Sequence, residues 1–187
     1  MYQTSDIRKG LKIEMDGAPW NVVEFLFVKP GKGQAFTRTK LKNLITGAVL
    51  ERTFKSGESL VPADVDDRSM QYLYNDDEAF HFMDTENFEQ VAIQRETVGD
   101  SAKWLLEEQV CPVLFYKGLP VTVEVPNFII AEIEYCEPGV KGNTAQGGSK
   151  PATLVTGATV NVPLFIEQGQ KIRVDTRTGD YVERIRS

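Results

Sequence analysis

Histidine is almost missing from this sequence: His81 is the only one in 187 residues. Cysteine is nearly as scarce. Cys111 and Cys136 stand apart, and neither belongs to a C-x-x-C pair. One imidazole and two separated thiols cannot make a zinc site of ordinary spacing, and no nucleophile motif surrounds either thiol. The expectation is two buried free thiols in a reducing compartment. His81, between Phe80 and Phe82, reads as a structural or surface residue. Long apolar runs are also lacking; Phe128-Ile129-Ile130-Ala131 is one of the longer ones, far short of a membrane span. The segment Met1 to Asp6 has no basic region followed by an apolar core, so no secretory signal is read and a cytoplasmic protein is expected. No calcium-loop spacing exists. Asp64, Asp66 and Asp67 read as a linker, and Asp76, Asp77 and Glu78 as a solvated turn. No catalytic residue, cofactor or metal is expected.

One further absence is local. No Asp or Glu occurs from Phe25 to Leu50, although the chain has a net charge of -6. Within this window lies Lys29-Pro30-Gly31-Lys32-Gly33-Gln34-Ala35-Phe36. Before it runs Trp20 to Val28, rich in β-branched and aromatic residues; after it runs Phe36 to Lys42. Proline fixes φ and glycine permits φ > 0, so the pattern predicts a hairpin with Lys32 at its tip between two glycines. Alternation along the second strand puts Arg38, Lys40 and Lys42 on one face and Thr37, Thr39 and Leu41 on the other. Two readings stay open: a surface that meets phosphate, or a glycine hairpin with solvated lysines. A P-loop is excluded, because no Ser or Thr follows Lys32 and no helical pattern opens there.

The chain reads as three units. Residues 1–64 carry ten Lys and Arg against seven Asp and Glu, a charge of +3. Short strands with turns at Asp16-Gly17 and Thr46-Gly47 suggest a small barrel. Residues 65–127 carry four basic and thirteen acidic side chains, a charge of -9. Gln71–Tyr74 and Ala79–Met83 predict a second hairpin, and Ser101–Glu108 a short helix capped by Asp100. Tyr72, Tyr74, Phe80 and Phe82 are expected mostly in the core. Residues 128–187 are neutral, with a Gly/Asn/Thr/Ser-rich loop from Pro138 to Lys150. Strands are expected at Phe128–Tyr135, Thr159–Ile166, Lys171–Asp175 and Tyr181–Ile185. Tyr181, near Arg177 and Arg184, is read either as a base-stacking or as a core residue.

The tip sequence resembles that of bacterial elongation factor P. Lys150-Pro151-Ala152, Gly157, Val160-Asn161-Val162-Pro163, Ile166 and Gly169 resemble the C-terminal signature of the same family. Gly142-Asn143-Thr144-Ala145 and Asp175 to Tyr181 are similar to it as well. The resemblance implies an all-β chain of three small β-barrels: an SH3-like (KOW-type) barrel over 1–64, then OB-fold barrels over 65–127 and 128–187. It implies a non-enzymatic translation elongation factor, acting as a monomer without a membrane. Such a factor binds both ribosomal subunits beside peptidyl-tRNA and promotes peptide-bond formation at polyproline stalls.

By the same resemblance Lys32 is the modified position, the target of a lysine-modifying enzyme; lysine there argues against rhamnosylation. Lys29, Gly31, Lys32, Gly33, Gln34, Arg38, Lys40 and Lys42 would meet tRNA or rRNA. Tyr181 and Arg184 would lie near the anticodon stem, and Gly142, Asn143, Thr144 and Ala145 near the exit-site codon. Asn143 stands where the family often has Asp. The acidic unit 65–127 is expected to face a basic ribosomal protein. The alternative is a ribosome-associated RNA-binding or assembly protein with no role in peptide transfer.

Overall fold

The computed structural model describes residues 1–139 and 148–186. The chain divides into two compact units: residues 1–68 with 113–122, and residues 69–112 with 123–187. The first unit is built on β1 (Tyr2–Gln3), β2 (Lys12–Met15), β3 (Ala18–Val28), β4 (Phe36–Asn43), β5 (Val49–Lys55) and β6 (Ser59–Pro62). These pair in the order β1-β6-β2-β3-β4-β5. The SH3-like barrel encloses Ile7, Ile13, Trp20, Val22, Leu41, Phe54 and Leu60.

Two departures from simple alternation shape β3. Trp20 and Val22 point into the core, as a period of two predicts. Val23 is then left unpaired between Val22↔Leu41 and Glu24↔Lys40. This β-bulge shifts the parity, so Phe25 and Phe27, not Leu26, share the face of the buried Thr39 and Thr37. β3 and β4 also run on past β2, whose pairing with β3 ends at Asn21.

The middle strands β7 (Val65–Asn75), β8 (Ala79–Asp84), β9 (Gln90–Gln94), β10 (Val110–Tyr116) and β11 (Leu119–Val123) form a sheet in the order β11-β10-β7-β8-β9. Tyr72, Phe80 and Phe82 are buried as expected, while Tyr74 is exposed. Cys111 and Cys136 are free and buried, and burial pushes the Cys111 thiol up to about 11. The helix expected over Ser101–Glu108 is displaced. A single α-turn, α1 (Arg95–Val98), leads into a 3-10 stretch at Gly99–Trp104, and the backbone is extended again at Leu105. Asp100 lies inside the stretch instead of capping it. Tertiary packing overrides the local signal here: Trp104 and Leu105 are both buried.

Trp104 in fact belongs to the core of the third barrel, with Ile129, Ile133, Leu154, Val162, Ile172 and Val174. That barrel consists of β12 (Phe128–Cys136), β13 (Ser149–Leu154), β14 (Thr159–Pro163), β15 (Lys171–Asp175) and β16 (Asp180–Arg184), in the order β14-β13-β12-β15-β16. Gly179 turns β15 into β16 with φ 79°, and a Cβ there would meet the Trp104 ring at 3.8 Å. That distance is an ordinary contact, so it is the positive φ of the turn that favours glycine at this position. No helix among the described residues is long and apolar enough to cross a membrane.

Candidate nucleic-acid interface

The β3–β4 ladder runs out to Val28↔Phe36, which leaves Lys29 to Ala35 as the tip loop. Two bonds tie the loop base to the end of β5. The Ser56 N–H donates to the Ala35 carbonyl at 2.9 Å, and the Gln34 side-chain amide donates to the Ser56 carbonyl at 2.6 Å. Gly33 takes φ 105°, a conformation that L side chains rarely adopt. Gly31 has open space where a Cβ would stand. Lys29, Gly31, Lys32, Gly33 and Gln34 are all exposed. Among the described residues Lys32 enters no ion pair. The result is an ammonium on a flexible stem, mounted on a loop whose base is fixed. Gln34, expected as an RNA contact, has its nitrogen committed to holding that base.

The strand that follows shows the expected two faces. Thr37, Thr39, Leu41 and Asn43 are buried; Arg38 and Lys42 are exposed and Lys40 is half-buried. The Thr39 hydroxyl donates to the Arg52 carbonyl at 2.6 Å, which satisfies the buried oxygen. The cationic face is less uniform than the acid-free window suggests. Pairing sets Lys40 directly between Glu24 on β3 and Glu51 on β5, the two acids that bracket the window. Cross-strand partners share a face with Cβ atoms about 5 Å apart. Lys40 is therefore flanked by one carboxylate on each neighbouring strand, which lowers the positive potential around it. Arg38 faces Leu26 and Thr53, and Lys42 faces Asn21 and Val49, so those two charges stand uncompensated across the strands.

Tyr181 and Arg184 lie on β16, in the other compact unit. A spacing of three would put them on opposite faces of a regular strand. A bulge between Arg173 and Val174 changes this: Tyr181 pairs with Val174 and Arg184 with Ile172, both inward-facing. Tyr181 packs half-buried against the barrel core. The Arg184 guanidinium lies 5.6 Å from the centre of the exposed Phe165 ring. Arg177 makes a two-pronged pair with Asp175, Nε to Oδ1 at 3.1 Å and Nη2 to Oδ2 at 2.9 Å. That contact lowers the Asp175 pKa and raises that of Arg177. Gly142, Asn143, Thr144 and Ala145 lie outside the described residues.

Two polar clusters escape a reading along the chain. Glu14 on β2 accepts the Tyr116 hydroxyl at 2.5 Å and pairs with Lys117 at 3.1 Å, across 102 positions of sequence. The tyrosine hydrogen bond is the larger cause of a lowered Glu14 pKa, with Lys117 second. The turn at Asp76 is more organised than a solvated acidic stretch. Its carboxylate accepts the backbone N–H groups of Glu78 and Ala79 at 2.9 and 2.8 Å and pairs with His81 at 2.7 Å. His81 itself stacks on Tyr74, ring centres 4.4 Å apart.

Comparison with known proteins accounts for nearly the whole chain. Three family models match in succession: the elongation factor P (EF-P) KOW-like domain over residues 3–60, the elongation factor P (EF-P) OB domain over 65–123, and elongation factor P, C-terminal, over 129–184. Among solved structures, eukaryotic translation initiation factor 5A from Methanococcus jannaschii is 21% identical. It superposes with a TM-score of 0.50, over 65% of this chain and 94% of its own. A translation initiation factor 5A family protein from Naegleria fowleri is 18% identical, also at 0.50, over 66% and 94%. These two likenesses concern the fold.

Proposed function

The chain belongs to the elongation factor P family and is a translation factor, and from that we propose that it binds the ribosome beside peptidyl-tRNA and promotes peptide-bond formation at polyproline stalls. The observation that carries this reading is the tip: Lys32 exposed, between glycines and without an ion pair among the described residues, on a loop whose base is pinned to Ser56. Proline is a constrained reactant whose peptidyl-tRNA samples unproductive geometries. A cation held on a fixed mount orders the tRNA acceptor end and raises the fraction of near-attack arrangements. The ribosome supplies the reaction; this chain supplies position. Lys29, Arg38 and Lys42 contact backbone phosphate without reading sequence, and Lys40 contributes less.

In this reading Lys32 is the modified residue, and the extension lengthens its reach. The barrels over 1–64, 65–127 and 128–187 act as the tip-bearing, acidic and C-terminal parts. Tyr181 serves as packing and Arg184 as the cation near tRNA. The acidic part faces a basic ribosomal protein, and the chain works as a cytoplasmic monomer.

The test is Lys32→Ala, measured for ribosome affinity and for the rate of synthesis through consecutive prolines. Affinity should fall modestly, because one charge is lost, while rescue of the stall should collapse. Full rescue by Lys32→Ala would refute the proposal. Loss of the protein that changed rRNA processing and spared Pro-Pro synthesis would instead mark an assembly protein.

A further inference from the structure

We propose that the outer edge of β3 between Glu24 and Lys29 is a docking site for an extended segment of a partner protein, added as a β-strand. The backbone bonding pattern carries the argument. In an antiparallel ladder, successive residues turn their N–H and C=O groups alternately to one neighbour and the other. Asn43 receives a bond from Gly47 and donates to Ala48, and Ala35 accepts from Ser56. Odd-numbered residues of β4 therefore face β5, and even-numbered residues face β3. The registered partners Arg38↔Leu26 and Phe36↔Val28 then turn the backbone of Leu26 and Val28 toward β4. Phe25 and Phe27 turn theirs the other way. Val22, on the far side of the bulge, faces that same outer side and is satisfied there: its N–H donates to Leu11 and its carbonyl accepts from Gly10. Beyond Val22 no strand among the described residues follows, because β2 pairs with β3 only up to Asn21. Among the described residues the outer donors and acceptors of Phe25 and Phe27 have no backbone partner.

The side chains agree. Phe25, Leu26 and Phe27 are 47%, 58% and 57% exposed, three consecutive large apolar residues on both faces of a projecting ribbon. Natural edges are ordinarily blunted by charge, proline or shortness; here Glu24 and Lys29 flank the stretch and nothing interrupts it. The chemistry of the edge selects the occupant. It alternates N–H donors with C=O acceptors, which a peptide backbone matches on both counts; a phosphate backbone only accepts. The flanks add charge complementarity. The added strand is apolar in its middle, basic beside Glu24 and acidic beside Lys29. Such a strand runs toward the loop that carries Lys32.

The experiment uses the full chain labelled with nitrogen-15. In the free protein, the Phe25 and Phe27 amides should exchange with solvent rapidly, and those of Leu26 and Val28 slowly. The probe is a capped peptide of alternating valine and threonine with lysine at one end and aspartate at the other, made in both sequence directions. Millimolar peptide in one direction should shift the Phe25 and Phe27 amides downfield and slow their exchange. Leu26 and Val28 should hardly move. Phe27→Pro removes a donor from the edge and should weaken peptide binding about fivefold, the scale of one hydrogen bond. A Phe25→Thr, Phe27→Thr double variant keeps the backbone edge and should still show the same two amides responding. Protection of Phe25 and Phe27 in the free protein would overturn the proposal. So would protection that grows with protein concentration, which would place a second copy there, or a peptide response spread equally over Leu26 and Val28.

Discussion

Replacing Arg38, Lys40 and Lys42 one at a time with Gln tests whether strand pairing or linear charge density governs the proposed RNA contact. The acid-free window treats the three cations as equal. The registered sheet does not: Lys40 sits between Glu24 and Glu51, while Arg38 and Lys42 face neutral partners. Each phosphate neutralised contributes roughly 0.9 to the slope of log affinity against log salt. Two effective contacts therefore give a slope contribution of about 1.8, or about a 12-fold loss of affinity for a fourfold rise in salt. Three would give about 2.7, or roughly 40-fold. The assay is equilibrium binding to ribosomes across a salt series. Arg38→Gln and Lys42→Gln should each flatten the slope by nearly one unit, and Lys40→Gln by much less. A Glu24→Gln, Glu51→Gln double variant should steepen it, because Lys40 is released. Equal flattening by all three cation variants would refute the reasoning and return the face to a simple count of lysines and arginines.

Two other outcomes follow from contacts in the second unit. Trp104→Ala should destabilise the third barrel by about 3–5 kcal/mol, the cost of an aromatic cavity, even though Trp104 precedes that barrel by more than twenty positions; chemical denaturation followed by the fluorescence of Tyr181 or an introduced probe measures it. Asp76 should titrate at about 2, held down first by the His81 hydrogen bond and then by the Ala79 and Glu78 N–H groups. Its folded pKa lies below the unfolded value, so the stability it contributes is fully present above about 4 and is lost as pH falls through about 2. Carboxyl NMR on the parent and on His81→Gln decides this: the variant's pKa should return toward the ordinary 3.8, and an unchanged value would remove His81 as the cause.

The sequence by itself determined the features whose causes are local. Pro30, Gly31 and Gly33 dictate a turn, the flanking β-branched and aromatic runs dictate strands, and alternation separates Arg38 and Lys42 from Thr37, Thr39 and Leu41. These depend on φ preferences and a period of two, which neighbouring residues fix. Tertiary structure decided where that period breaks. The bulge at Val23 moves Phe25 and Phe27 onto the face of Thr39 and Thr37, and the one opposite Arg173 and Val174 brings Tyr181 and Arg184 onto a shared face. A bulge changes which residues oppose each other by one position, and no single strand's pattern reports that shift. Register also placed Glu24 and Glu51 beside Lys40, residues that lie outside the window a linear reading uses. Trp104 shows the same limit at longer range. Local propensity favoured a helix over Ser101–Glu108, but a large ring gains more by entering an apolar core than a short helix gains from its backbone bonds. What the chain could not declare in sequence was in each case a pairing between distant segments, settled only once both had folded.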